Sequence, residues 1–192
     1  MPRPSTFPNM VVTLLVVTGV SAVALGFVYQ FTKTPIAEAR LATQLKAIEA
    51  VMPGYDNNPV AEKFFLPTAQ GDSLECFPGS KGGQAIGVAI KSKSPKGYSG
   101  DIWLMVGLDT AGVIQNIVVI EHKETPGLGS KMTEPKLLNQ FLRANPATTD
   151  LRVKKDGGTV DAISGATISS RAFSEAVQQA FETYRNGKDI HR

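Results

Sequence analysis

The sequence predicts an α+β protein: one N-terminal transmembrane helix, then a single domain of antiparallel strands packed with helices. Three stretches predict it. The first is an apolar run, Met10–Phe31, inside a segment from Pro4 to Thr32 without a charged residue. The second is a set of alternating segments punctuated by turn residues between Gln84 and Glu121. The third is a closing stretch from Ser169 to about Asn186 that carries Phe173, Val177, Ala180, Phe181 and Tyr184 on one helical stripe.

The apolar run is long enough to span a membrane. At about 1.5 Å per residue it makes a helix of about 33 Å, against a hydrocarbon core of about 30 Å. Arg3 and Lys33 bracket it, and Phe27, Tyr29 and Phe31 fall near one interface. Ala22-Val23-Ala24 mimics a signal-peptide cleavage site, but the run is too long for such a leader and continues past it. The expected organisation is a tail over 1–9, the membrane helix over 10–31, a connecting helix over 32–53 and one folded domain over 54–192. In the connecting helix Pro35 stands near the first turn, and Ile36, Leu41, Leu45, Ile48 and Met52 recur at helical spacing.

Pro53 to Gly83 is rich in Pro, Gly, Asn and Asp around two short apolar runs, and reads as loop with short strands over 63–66 and 74–77. A strand follows over Gln84–Lys91, ending in the turn-rich Ser92–Gly97. Asp101–Leu108 and Val113–Glu121 form a hairpin about Asp109-Thr-Ala-Gly112. A short helix is predicted over Glu134–Arg143. A last hairpin pairs Leu151–Val153 with Thr159–Ala162 about Asp156-Gly157-Gly158.

Composition narrows the chemistry. The chain has 192 residues, 42% of them hydrophobic, and a net charge of +3 without a basic-aromatic patch, so no nucleic-acid partner is expected. One cysteine, Cys76, excludes an internal disulfide framework and a Cys-based zinc or iron–sulfur site of ordinary ligand count. Two histidines, His122 and His191, supply a Ser-His-Asp triad or a histidine metal site poorly, so no catalytic or metal-ligating set is assigned.

Asp161-Ala-Ile-Ser-Gly-Ala-Thr167 runs directly into the closing helix. Gly165 and Ala166 leave an uncluttered backbone, and Thr167 presents a hydroxyl at a helix N-terminus. Orphan amides and the helix dipole favour a phosphate there. The same hydroxyl is also a common helix cap. Upstream, Glu124-Thr125-Pro126-Gly127-Leu128-Gly129 follows a strand. Its glycines let backbone approach a flat ring, Leu128 can lie against a ring face, and Pro126 stiffens the loop.

Taken together, these two motifs resemble those of the covalent-FMN subunits of the Rnf and Na⁺-translocating NADH:quinone reductase complexes. In that family a flavin transferase esterifies FMN through its phosphate to the last threonine of Asp-x-x-Ser-Gly-Ala-Thr. The resemblance covers roughly 83–184, and the short chain with one anchor is more similar to the G-type subunit of Rnf than to the longer C-type subunit. It implies an FMN-binding domain with FMN on Thr167. Asp161, Ser164, Gly165 and Ala166 would surround the attachment point, and Glu124, Thr125, Pro126, Gly127, Leu128 and Gly129 the flavin. Asp161 and Ser164 would be read by the transferase or bond near the phosphate. Gly97-Tyr98-Ser99-Gly100 also resembles the family, with Tyr98 flanking the pocket.

The implied function is membrane-anchored electron carriage in a complex that couples ferredoxin–NAD electron transfer to Na⁺ or H⁺ translocation. The implied partners are other integral-membrane subunits and the transferase. Alternatives are the C-type subunit, a hydrolase using Ser164 or Thr167, and a non-redox module binding a phosphate-bearing ligand. Lys33, Arg40 and Lys46 after the helix outnumber the charges before it, which points the domain to the cytoplasm. The family resemblance implies the outer face of the inner membrane, and that is the expectation adopted.

Overall fold

The computed structural model describes residues 6–69 and 71–190. Arg3 and His191 lie outside them. The chain divides into two compact units between Thr43 and Gln44.

The helices expected over 10–31 and 32–53 are one continuous helix, α1, Phe7–Val51, with Pro35 inside it. A proline removes one backbone bond, here to the Phe31 carbonyl, and the helix formers that follow (Ala37, Glu38, Ala39, Arg40) sustain the next turns. Through the apolar stretch the side chains are exposed, Val23 by 72% and Leu25 by 71%. α1 is long and apolar enough, by length and composition, to cross a membrane.

The second unit is built on a five-stranded antiparallel sheet in simple meander order. Its strands are β1 (Phe64–Pro67), β2 (Ser73–Lys81), β3 (Gln84–Ser94), β4 (Ile102–Asp109) and β5 (Ile114–Glu121). The region read as mostly loop, 53–83, therefore supplies two strands of the sheet. Pro67 ends the edge strand, where its missing N–H costs least. Gly79 sits at a bulge, and a side chain there would strike Met52. β3 also runs three residues further than expected. Ser92 and Ser94, which read as turn, are buried on one face: Ser92 Oγ donates to the Ala176 carbonyl (2.8 Å) and Ser94 Oγ to Glu175 (3.0 Å). Lys91 and Lys93 alternate with them on the other face, over the Trp103 ring.

Both faces of the sheet are covered. The closing helix, α3 (Thr167–Ile190), begins two residues earlier and ends later than expected. Its Ala172, Phe173, Ala176, Val177, Ala180 and Phe181 pack against Ile90, Leu104, Val106 and Ile117. On the opposite face the last turns of α1 bring Ala47, Ile48 and Val51 onto Phe77, Ala89 and Met105. Gly107 of β4 makes that approach possible, because a side chain there would run into the Val51 carbonyl.

Two predicted elements differ in kind. In place of a helix over 134–143 there is a single α turn, α2, Pro135–Leu138, preceded by a 3₁₀ turn, Gly129–Thr133. Beyond Leu138 the bonding tightens (Gln140 N–H to Leu137, Phe141 N–H to Leu138). Arg143, with φ of 59°, leaves to donate to Ile114 at 2.8 Å. In place of a hairpin over 151–162, Val153 and Val160 form one parallel bridge around a 3₁₀ turn, Lys154–Asp156. Gly158 packs so closely on the Arg152 backbone that no side chain fits, and Val160 N–H donates to the Arg152 carbonyl at 3.1 Å.

Candidate functional site

α3 starts at Thr167 because the preceding backbone reverses at Gly165 (φ 75°), and Ala166 N–H closes the turn on the Ile163 carbonyl at 3.0 Å. Ser170 locks this entry: its Oγ accepts from Ile163 N–H (2.9 Å) and donates to the Ala166 carbonyl (3.0 Å). Ser169 Oγ, one residue earlier, donates to Glu124 Oε2 at 2.7 Å. Both serines are 1% exposed. Thr167 is half-buried, and its Oγ lies 3.4 Å from the Lys155 ammonium.

Glu124 organises the other wall. It is 5% exposed, and its two oxygens accept from Ser169 Oγ and from the Ser99 amide (3.1 Å). One carboxylate thus ties the 97–100 turn, the 124–129 loop and α3 together with charge-assisted bonds. Its surroundings explain two glycines. A Cβ on Gly97 would fall 2.7 Å from one carboxylate oxygen, and a Cβ on Gly129 2.6 Å from the other. Gly127 has a different reason: its φ is 76°, a Cβ there would meet nothing, and its amide donates to Ser130 Oγ at 2.9 Å. His122 serves the same strand end, its Nδ1 accepting the Glu124 amide at 3.2 Å.

Between these walls is an open cavity of about 630 Å³. It is lined by Tyr98, Glu124, Thr125, Leu128, Gly129, Lys155, Gly165, Ala166, Thr167, Ile168 and Ser169. Tyr98, Leu128 and Ile168 are 70%, 45% and 47% exposed, an unusual share of large apolar surface around one opening. The structure therefore brings eight of the expected residues to one place: Tyr98, Glu124, Thr125, Leu128, Gly129, Gly165, Ala166 and Thr167.

Asp161, Ser164, Pro126 and Gly127 are exposed and do not line the cavity. Asp161 acts in the scaffold: its carboxylate pairs with Lys154 (2.8 Å), its amide donates to Gln140 Oε1 (2.7 Å), and its carbonyl accepts from Gln140 Nε2 (3.2 Å). Lys155, Ile168 and Ser169 were not expected at the site. Ile168 had a readable signal, an apolar residue off the buried stripe of an amphipathic helix; Lys155, in a turn without periodicity, had none. Arg171 clamps Asp156 with two bonds of 2.6 Å, which hold that carboxyl below its ordinary range. Arg152 holds Asp150 down to about 2.

The residues present fit FMN. An apolar, partly exposed rim suits a flat ring, and a hydroxyl, a cation and the start of a helix converge where a phosphate would sit. The profile of the FMN-binding domain matches residues 97–182. The G subunit of the ion-translocating oxidoreductase complex of Pseudomonas aeruginosa (strain UCBPP-PA14) is 36% identical over 182 residues, covering 89% of this chain and 84% of that protein. The G subunit of the same complex from Yersinia pestis is 37% identical over 173 residues (85% and 81%). That of Vibrio cholerae serotype O1 (strain M66-2) is 32% identical over 180 residues (88% and 86%). Among solved structures, Shewanella oneidensis NqrC matches with a TM-score of 0.48 and 25% identity, covering 62% of this chain and 63% of its own.

Proposed function

Because this chain belongs to the family of ion-translocating oxidoreductase complex G subunits, we propose that it is a membrane-anchored electron carrier whose FMN is esterified through its phosphate to Thr167. Its place is in a complex with other integral-membrane subunits, coupling ferredoxin–NAD electron transfer to movement of Na⁺ or H⁺, after maturation by a flavin transferase. One observation carries the attachment point. Of the hydroxyls at Ser164, Thr167, Ser169 and Ser170, the last two are buried and committed to protein partners, and Ser164 is exposed away from the cavity. Thr167 lines the cavity, and its oxygen faces a cation. Flavin fluorescence that survives denaturation, with the added mass on the peptide 159–171, tests the reading. A non-redox phosphate-binding module or a hydrolase would show neither.

FMN supplies the redox chemistry, taking up and releasing one or two electrons. The protein's residues position it and shield it. Glu124 fixes the distance between the two walls, so that Leu128 and Tyr98 bound the ring on sides set by the sheet. Ile168 extends the apolar rim beside the attachment point. No side chain here has to move a proton at Thr167, and an ester at that atom removes dissociation as a way to lose the carrier.

Leu128→Ala removes an apolar wall and is expected to shift the flavin's midpoint potential and visible spectrum while leaving the attachment intact. Gly127→Val should act through backbone strain at φ 76°, destabilising the loop by about 1 kcal/mol or more. A redox titration and spectrum unchanged in both variants would remove the 124–129 loop from the flavin site.

In this reading the flavin domain stands on the outer face of the inner membrane. Cys76 cannot report this, because it is fully buried and burial pushes its thiol up to about 12. Ala111→Cys, at an exposed turn, is expected to react with an impermeant thiol reagent in intact cells, while the native protein stays unlabelled. Reaction of that cysteine only after lysis would put the domain in the cytoplasm, as the count of flanking charges suggests.

A further inference from the structure

We infer that Lys155 is the counter-charge for the phosphate carried by Thr167, a positioning residue for the cofactor that neither motif contains. The inference rests on the attachment proposed above. Around the start of α3 three neighbouring cations are paired: Lys154 with Asp161 (2.8 Å), Arg152 with Asp150 (2.6 Å) and Arg171 with Asp156 (2.6 Å). Lys155 has no such ion pair among the described residues, and its ammonium points to the Thr167 hydroxyl at 3.4 Å.

That placement is held from both sides. The 3₁₀ turn Lys154–Asp156 is fixed at one end by Lys154 N–H on the Val160 carbonyl (2.8 Å) and at the other by the Asp156–Arg171 clamp. Glu124, the cavity's carboxylate, has its oxygens on Ser169 and Ser99 and forms no ion pair with Lys155, and Asp156, which feels the Lys155 charge, is itself clamped by Arg171. A phosphate diester bears one negative charge beside the esterified oxygen, within reach of a charge-assisted bond from this ammonium. The long lysine stem suits such a contact, since a point charge with rotatable donors adapts to oxygens of either orientation.

The test compares full-length protein made with and without co-expressed flavin transferase, following FMN by intact mass and folding by urea titration. In the wild type, loading should stabilise the fold more than it does in Lys155→Gln, the folding equilibrium constant gaining about two- to fivefold less in the variant, as for an exposed ion pair. Lys155→Arg should restore the gain. About 1 M salt, where the screening length is about 3 Å, should bring the wild type down to the Lys155→Gln level. Failure of Lys155→Gln to load at all, with Lys155→Arg loading normally, also supports a required cation. An equal gain from loading in wild type and Lys155→Gln overturns the inference, as does loss of loading in both variants, which would make the lysine itself and not its charge the requirement. A wild-type protein that never carries the FMN mass on Thr167 is a separate outcome, because it overturns the attachment itself.

Discussion

Thr167→Ala is expected to abolish all denaturation-resistant flavin fluorescence and leave a folded, membrane-bound protein. The effect on attachment is complete because the variant has no oxygen to esterify, and the nearby serines are poor substitutes. Ser169 and Ser170 are 1% exposed and hydrogen-bonded within the entry to α3. The effect on folding is small. Thr167 is the first residue of α3 and its hydroxyl contacts Lys155, not a backbone amide, so its loss should cost no more than about 0.5 kcal/mol. Thr167→Ser keeps the nucleophile and should keep partial modification. The wild-type peptide 159–171 should gain the mass of FMN less one water. Full fluorescence in Thr167→Ala, or that mass on Ser164, would falsify the assignment.

Glu124→Ala should be the most damaging change at the site. It leaves Ser169 Oγ and the Ser99 amide without their acceptor and opens a void between three segments. An unmet buried donor costs about 1–3 kcal/mol, so a loss of about 2–4 kcal/mol is expected in urea unfolding. The 97–100 turn and the 124–129 loop should also gain amide exchange together, since one carboxylate joins them to α3. Glu124→Gln keeps the shape and one carbonyl acceptor, and the Ser169 hydroxyl can rotate to meet the amide; it should lose less than half as much. Equal losses in the two variants would mean that packing, not the paired acceptors, is what Glu124 contributes.

The sheet was legible where apolar and polar residues alternate with clear turns between them, as in β4 and β5. It was only partly legible in β1 and β2: the short strands over 63–66 and 74–77 were readable, but Pro67, Pro78 and Gly79 read as punctuation although two of them lie inside a nine-residue strand. Ser92 and Ser94 failed for a related reason. They are polar, yet buried, because α3 supplies their acceptors from more than 80 positions away in the chain. A helix pattern over 134–143 was real in its apolar spacing (Leu137 and Phe141 are buried), but after one α turn the backbone tightens to i→i−3 bonds and Arg143 leaves to pair with Ile114. At the site, both motifs stood out because glycine and proline mark special backbone. Two of the glycines have further reasons within the protein: Gly129 makes room for a carboxylate and Gly127 satisfies a dihedral angle. Lys155 was invisible because only the turn around Val153 and Val160 brings it to Thr167.

The continuity of α1 bears on how a soluble fragment of this protein should be cut. A cut at the boundary suggested by Pro53-Gly54 would keep every strand, yet discard Ala47, Ile48, Val51 and Met52, each no more than 6% exposed. Each large apolar side chain among them is worth about 1.5–3 kcal/mol of burial. The loss would also bare Phe77, Ala89 and Met105, handing the fragment a greasy face on which copies would stick to one another. A fragment beginning at Gln44 keeps that plug and leaves out the whole apolar run. What reads as the stalk of a membrane anchor is, in its last two turns, part of the interior of the domain it carries.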